Sequence, residues 1–171
     1  MKTKRFLAAL LAVMMLVSTF AFSASANNNT DVNFYFDFNS GYICEDENES
    51  VRLKTDTSSS YVNYNTTTTG GLAQGPYKIQ VFIYGSDNYS TGFVDCTSYT
   101  STGLARTPAY VTKGTEGLVR QDVYEEFSQN GEVSCWGKIY GKLVTGYSAD
   151  YATGCWSVDS VGTYQYYNRV A

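Results

Sequence analysis

Residues 32–38 read VNFYFDF, and this stretch decides the fold class. Val32, Phe34, Phe36 and Phe38 alternate with polar or phenolic residues, which is the period of a β-strand with one buried face. A second run, residues 77–84, reads YKIQVFIY and places its aliphatic side chains on one side. Its content of β-branched and aromatic residues predicts a central strand.

Short segments of the same kind follow along the rest of the chain, separated by polar turns. They predict strands at 42–44, 51–54, 61–64, 93–99, 109–113, 133–144, 151–158 and 163–170. About ten short strands without a secure helix indicate an all-β domain, an antiparallel β-sandwich of jelly-roll-like type. Gly137 and Gly141 interrupt the strand at 133–144 and are predicted to be bulges or points of close packing.

Residues 118–127 are ambiguous between strand and helix. Val119, Val123 and Phe127 recur every four residues, which fits a helix. The segment is short, follows Gly117 and has predicted strands on both sides. We therefore expect a strand.

The first 26 residues have the three parts of a secretory signal peptide. The basic residues Lys2, Lys4 and Arg5 precede an apolar run, and Ala24-Ser25-Ala26 forms the small-residue cleavage pattern. Cleavage would leave one domain at 27–171, or 145 of the 171 residues. The leader carries three cations and no anion, so its loss would change the net charge from −4 to −7. We predict a secreted, extracellular protein whose mature form has no membrane anchor.

Composition excludes several classes of function. The chain has no histidine, so it contains no Ser-His-Asp triad, Cys-His dyad or zinc-histidine site. Its acidic charge argues against a nucleic-acid partner. The acidic run at 45–49 lacks the EF-hand pattern and is interpreted as a solvated turn. We expect no cofactor, no metal site and no catalytic residue.

Four cysteines, an even number in an exported chain, predict two disulfides. If the strands at 133–144 and 151–158 form a hairpin, Cys135 lies opposite Cys155 within disulfide reach. Cys44 would then pair with Cys96.

Tyrosine and tryptophan supply the candidate ligand site. Exposed aromatic rings on one sheet face can stack on sugar rings. Tyr35, Tyr61 and Tyr64 could contribute to such a face, and the main stacking candidates are Trp136, Trp156, Tyr140, Tyr164 and Tyr166. Structural packing of these rings is the competing interpretation, since tyrosine is a common strand residue.

Two other functions stay open. A small secreted glycan-active hydrolase would need two carboxylates across a cleft. Glu125 and Glu126 are adjacent and would face opposite sides of a strand, while Asp37, Asp95, Asp150 and Asp159 are isolated. A bacteriocin-like secreted effector is the third class, although the acidic charge argues against attack on anionic membranes.

Three segments, 112–120, 123–125 and 154–160, resemble short secreted proteins of Gram-positive bacteria of uncharacterised function. The resemblance implies an all-β extracellular domain and brings no site residues. Together these observations predict a non-enzymatic domain that binds a glycan or a protein at the cell surface.

Overall fold

The structure is a computed structural model. It describes residues 30–40, 43–48, 50–98, 106–128, 135–145 and 148–168. The predicted signal peptide lies outside the described residues. Within the described ranges, no helix is long and apolar enough to cross a membrane.

In the described ranges, ten strands form two antiparallel sheets, which confirms the mostly-β prediction. In sheet A the order is β1 (Val32–Asp37), β10 (Tyr151–Ser157), β4 (Ser60–Asn63) and β8 (Glu116–Val119). In sheet B it is β2 (Cys44–Glu45), β9 (Cys135–Leu143), β5 (Lys78–Ser86) and β6 (Val94–Asp95). Two further strands join sheet B: β3 (Arg52–Lys54) pairs with β9, and β7 (Ala109–Thr112) pairs with β5.

The core lies between the two sheets, where the predicted alternation places the apolar side chains. Phe34, Phe36 and Trp156 from sheet A belong to the same buried cluster as Ile83 and Ile139 from sheet B. Burial of so many large apolar groups is the main stabilising contribution to a fold of this kind.

Gly137 and Gly141 are points of close packing, as predicted. A Cβ atom at Gly137 would lie 2.6 Å from Cγ2 of Val158, and one at Gly141 would overlap the Phe36 ring. Both glycines face the core from β9, so they allow the two sheets to approach closely.

The predicted hairpin between residues 133–144 and 151–158 is wrong. β9 belongs to sheet B and β10 to sheet A, so the chain crosses from one sheet to the other between them. Cys135 lies opposite Lys54, and Cys155 lies opposite Asn33 and Asn63. β9 and β10 are therefore adjacent in sequence but do not pair.

The predicted disulfides are absent. No disulfide joins any of Cys44, Cys96, Cys135 and Cys155, and all four are buried. The two cysteines of the predicted hairpin lie on strands of different sheets, so the cross-strand geometry that a disulfide needs does not arise.

The ambiguous segment 118–127 contains both kinds of structure. Its first residues end β8, and the short helix α1 (Val123–Phe127) follows. The strand prediction is correct for the start and wrong for the end. Val123 is fully buried beneath β5, close to Gly85, which explains the helical spacing of the apolar residues.

The C-terminal segment, residues 161–168, closes one open side between the two sheets. The backbone N–H of Leu118 donates to Gln165 O at 2.9 Å, and that of Tyr167 donates to Leu118 O at 3.0 Å. The N–H of Tyr110, in β7, donates to Asn168 O at 2.8 Å. A final strand was predicted at 163–170, but the described part forms only one bridge, between Leu118 and Tyr166.

A buried ion pair fixes the turn that precedes this segment. Lys54 and Asp159 are both completely buried, and their side chains form a short salt bridge. The Lys54 ammonium also donates to Ser58 O at 2.5 Å. The Ser160 N–H in turn donates to the Ser58 hydroxyl at 3.2 Å, so the start of the C-terminal segment is tied to the core.

Candidate functional site

The outer surface of sheet A, here called face A, is built from two cross-strand rows. Strand register places Asn33, Cys155, Asn63 and Glu116 side by side across all four strands. The next row contains Ser157, Tyr61 and Leu118, and Asp31 extends it by one position beyond β1. Side chains two residues apart in a strand share a face, so both rows point away from the core.

A first cleft of about 300 Å³ opens over the second row. Its lining comprises Asp31, Tyr61, Ser157, Ser160, Val161 and Tyr164. The C-terminal segment supplies one wall, and the Tyr164 ring lies 4.7 Å from the Tyr61 ring, tilted by 45°. Tyr61 is buried and forms the floor, whereas Tyr164 is half-buried.

The Asp31 carboxylate is partly desolvated in this cleft. Burial raises its pKa above the ordinary aspartate value. Polar contacts with Ser157 and Cys155 and the charge of Arg52 oppose the shift without cancelling it, and the charge of Glu116 adds to it. Asp31 is therefore a carboxylate whose surroundings would favour a positively charged ligand.

Glu116, at the other end of the first row, is held by its neighbours. The Tyr61 hydroxyl donates a short hydrogen bond to its carboxylate, and the Asn63 amide approaches the same oxygen at 3.5 Å. Burial, together with this contact, raises the pKa of Tyr61. The phenol therefore stays protonated and fixes the position of Glu116 at the edge of face A.

A second cleft of about 450 Å³ opens at the opposite end of face A. It is lined by Asn33, Phe34, Tyr35, Glu47, Asn48, Thr67, Leu72, Gln74 and Thr153. The loop at 65–74 forms one wall, which is fixed where the Thr68 N–H donates to Asn33 Oδ1 at 2.7 Å. Beside the cleft, the Tyr35 and Tyr151 rings are stacked with centroids 5.5 Å apart, and both are more than a third exposed.

The outer surface of sheet B, here called face B, carries two of the predicted stacking residues. Trp136 meets Tyr89 edge-on at 5.0 Å, and the Tyr140 ring lies 4.1 Å from Tyr84. The Tyr140 hydroxyl donates to Glu45 Oε2 at 3.0 Å, and Glu45 also pairs with Lys138. These aromatic groups pack on one another and on charged neighbours.

The structure does not bring the five predicted stacking residues together. Trp156 is fully buried in the core and is not available to a ligand. Trp136 and Tyr140 lie on face B, whereas Tyr164 and Tyr166 lie at face A. Tyr164 lines the first cleft, but the Tyr166 ring is partly covered by the Arg120 guanidinium, 4.2 Å from its centroid.

The described part of the acidic run, residues 45–48, is not simply a solvated turn. Asp46 is buried, and its carboxylate accepts hydrogen bonds from Tyr35 N at 2.7 Å and Asn48 N at 3.1 Å. It therefore fixes the turn against β1. In the part of the chain that the structure describes, no group of three or more Cys, Asp or Glu residues is placed to hold a metal ion.

Sequence reasoning missed Asp31 and the second cleft. Asp31 precedes the alternating run at 32–38 by one residue, so the same alternation places it on the side of Asn33 and Tyr35. That signal is present in the sequence. The nearness of Tyr61 and Tyr164 has no local signal, because it depends on the path of the C-terminal segment.

One family of proteins matches the chain. A family described as "protein of unknown function (DUF2712)" matches residues 19–160, which is most of the chain. Val161 and Tyr164, which line the first cleft, lie beyond the matched range. No curated protein and no solved structure matches the chain significantly.

Proposed function

The chain belongs to this family of proteins of unknown function, and we propose that it is a secreted, non-enzymatic domain that binds a glycan on face A. It would act outside a Gram-positive cell, at the cell surface. The jelly-roll-like arrangement of its strands belongs to the same proposal.

The observation that carries this proposal is that both clefts open on the same face. Asp31 lines the first cleft and Asn33 the second, and the two side chains are neighbours on the outer side of β1. Two residues of strand span roughly 7 Å, so the clefts are close enough to hold consecutive units of one chain-like ligand.

The chemistry of face A suits a glycan. Sugar units present apolar C–H surfaces to aromatic rings and hydroxyl groups to polar side chains. Tyr164 stands at one end of the face and the stacked pair of Tyr35 and Tyr151 at the other. Asn33, Gln74 and Thr153 offer amide and hydroxyl groups between them.

The charged groups favour binding over hydrolysis. Of the described residues that line each cleft, Asp31 is the single carboxylate of the first and Glu47 that of the second. A glycosidase needs two carboxylates flanking one bond. Glu116 is near the first cleft but is already held by Tyr61.

Retention on insoluble polysaccharides tests the proposal. The purified protein is mixed with cellulose, chitin and bacterial cell-wall polysaccharide, and the unbound fraction is measured. Replacement Tyr35→Ala removes half of the exposed stack and should weaken retention about tenfold, since a ring stack contributes roughly 1 kcal/mol beyond its buried area. Trp136→Ala on face B is the matched control and should retain the affinity. Loss of binding in the Trp136 variant alone, or no retention on any polysaccharide, would contradict the proposal.

A further inference from the structure

The first cleft combines one carboxylate with two tyrosine rings that lie against each other. Among the described residues that line it, Asp31 is the one carboxylic acid and no cation is present. The other lining groups are the phenols of Tyr61 and Tyr164, the hydroxyls of Ser157 and Ser160, and the side chain of Val161.

We propose that the first cleft binds a protonated primary amine, carried by an amino-sugar unit of the glycan. This inference rests on the proposed function and names the chemical class of unit that one end of face A selects.

Donor and acceptor chemistry supports an ammonium group. An ammonium has three donors and no acceptor, and the cleft offers carboxylate and hydroxyl oxygens as acceptors. The face of an aromatic ring also attracts a cation placed within about 6 Å of its centroid. Tyr164 is half-buried, and the centroid of its ring lies 4.7 Å from that of Tyr61. The Tyr61 ring therefore holds the Tyr164 ring in place at the wall of the cleft.

The charges around Asp31 also favour an ammonium group as the ligand. Arg52 is the cation near its carboxylate, and Glu116 is the anion. Burial still raises the pKa of Asp31, so Arg52 does not fully compensate the desolvated carboxylate. An incoming ammonium would add that compensation. A neutral acetamide in the same position would add no positive charge to that of Arg52, which gives the cleft a means of discrimination.

Size also limits the ligand. A volume of about 300 Å³ is at the small end of ligand sites in proteins, so it suits one small group rather than a long segment. The rest of the chain-like ligand would continue over Asn33 toward the second cleft.

Calorimetric titration of the purified full chain tests the inference. The probes are a glucosamine oligosaccharide and its fully N-acetylated counterpart, compared at a slightly acid pH at which the amines are protonated. We expect the amino form to bind at least tenfold more tightly. Asp31→Asn should remove most of this preference, and the exposed Asp150→Asn should keep it.

A second variant covers the case in which the Asp31 variant does not fold. Tyr164→Leu keeps an apolar group against Tyr61 but removes the aromatic face, and it should lower the preference about fivefold. Thermal unfolding of each variant checks that the protein is folded.

The outcomes separate this inference from the proposed function. Equal binding of both oligosaccharides, or an unchanged preference in the Asp31→Asn and Tyr164→Leu variants, overturns the amine site and leaves glycan binding intact. Binding of neither oligosaccharide, while other polysaccharides are retained, also overturns the amine site alone. No binding of any glycan overturns both. Competition by tetralysine at the same concentration as the amino oligosaccharide would contradict the amino sugar as the source of the amine.

Discussion

Face A and face B are the outer surfaces of the two sheets, and both carry tyrosine. On face B the rings contact each other, and Tyr140 is held by Glu45. On face A the loop at 65–74 and the C-terminal segment stand above the sheet as walls, and two clefts open between them. The comparison teaches that aromatic content does not distinguish a face with open clefts from a packed one. The segments that cross the face make the difference.

Removal of the Lys54 ammonium should have the largest effect on the first cleft, which distinguishes face A from face B. Lys54→Met leaves the Asp159 carboxylate fully buried without its ammonium partner. Loss of one member of a buried pair costs about 3–5 kcal/mol. We expect the free energy of unfolding, measured in urea, to fall by that amount and the first cleft to be lost with it.

Lys142→Met is the control for that experiment. Lys142 extends from β9 on face B and is partly exposed, so its replacement should change the stability by less than about 0.5 kcal/mol. A small effect at Lys54 would show that the ion pair does not fix the wall of the cleft.

Deletion of residues 161–171 should convert face A into an open sheet. It removes the three backbone hydrogen bonds that join Leu118 and Tyr110 to the segment, together with the packing of Tyr167. We expect a loss of about 3 kcal/mol in stability and of at least tenfold in glycan affinity. Circular dichroism should still show a β-protein. Unchanged affinity after the deletion would mean that the segment is not part of the site.

Alkaline pH should weaken the fold through thiols that lie in both sheets. Burial raises the pKa of Cys155 on face A, and of Cys96 and Cys135, to about 12 in each case, from an ordinary value of 9.0. Above pH 9 the unfolded chain releases these protons while the folded chain keeps them. The free energy of unfolding therefore falls with rising pH, by roughly 1 kcal/mol per thiol at pH 10.

Denaturant titrations between pH 7 and pH 10 measure this slope. Cys155→Ala and Cys135→Ala should each reduce the slope by a similar amount, because burial is the main cause of the raised pKa at both positions. Rapid alkylation of the native protein at pH 8 would contradict the burial of the thiols.

The smallest effect is expected on face B. Tyr140→Phe removes the hydrogen bond to Glu45 but keeps the ring against Tyr84. Stability should fall by about 1 kcal/mol, and glycan affinity should stay within twofold of the original. A large loss of affinity would make face B the binding surface and reverse the comparison.

Local pattern predicts most of the strands but not their partners. The alternation at 32–38 and the run at 77–84 correspond to β1 and β5, because a period of two depends only on neighbouring residues. The same pattern contains the signal that Trp156 is in the core, since Ala152 and Val158 lie on its side of β10. The preceding Cys155 instead predicts that Trp156 packs beside a disulfide.

Sheet membership and the first cleft could not be predicted in this way. β10 pairs with β1, more than a hundred residues earlier in the chain, rather than with the preceding β9. Asp31 and Tyr164 come from opposite ends of the domain and meet only because of that pairing. The site therefore depends on long-range register, for which a single sequence carries no direct signal.

Mapping of backbone amide shifts by NMR during titration with a retained glycan tests the central claim most directly. The account predicts that the largest shifts occur on face A, at Asn33, Asn63 and Cys155, with little change on face B. Shifts centred on Trp136, Lys138 and Tyr140 would contradict it.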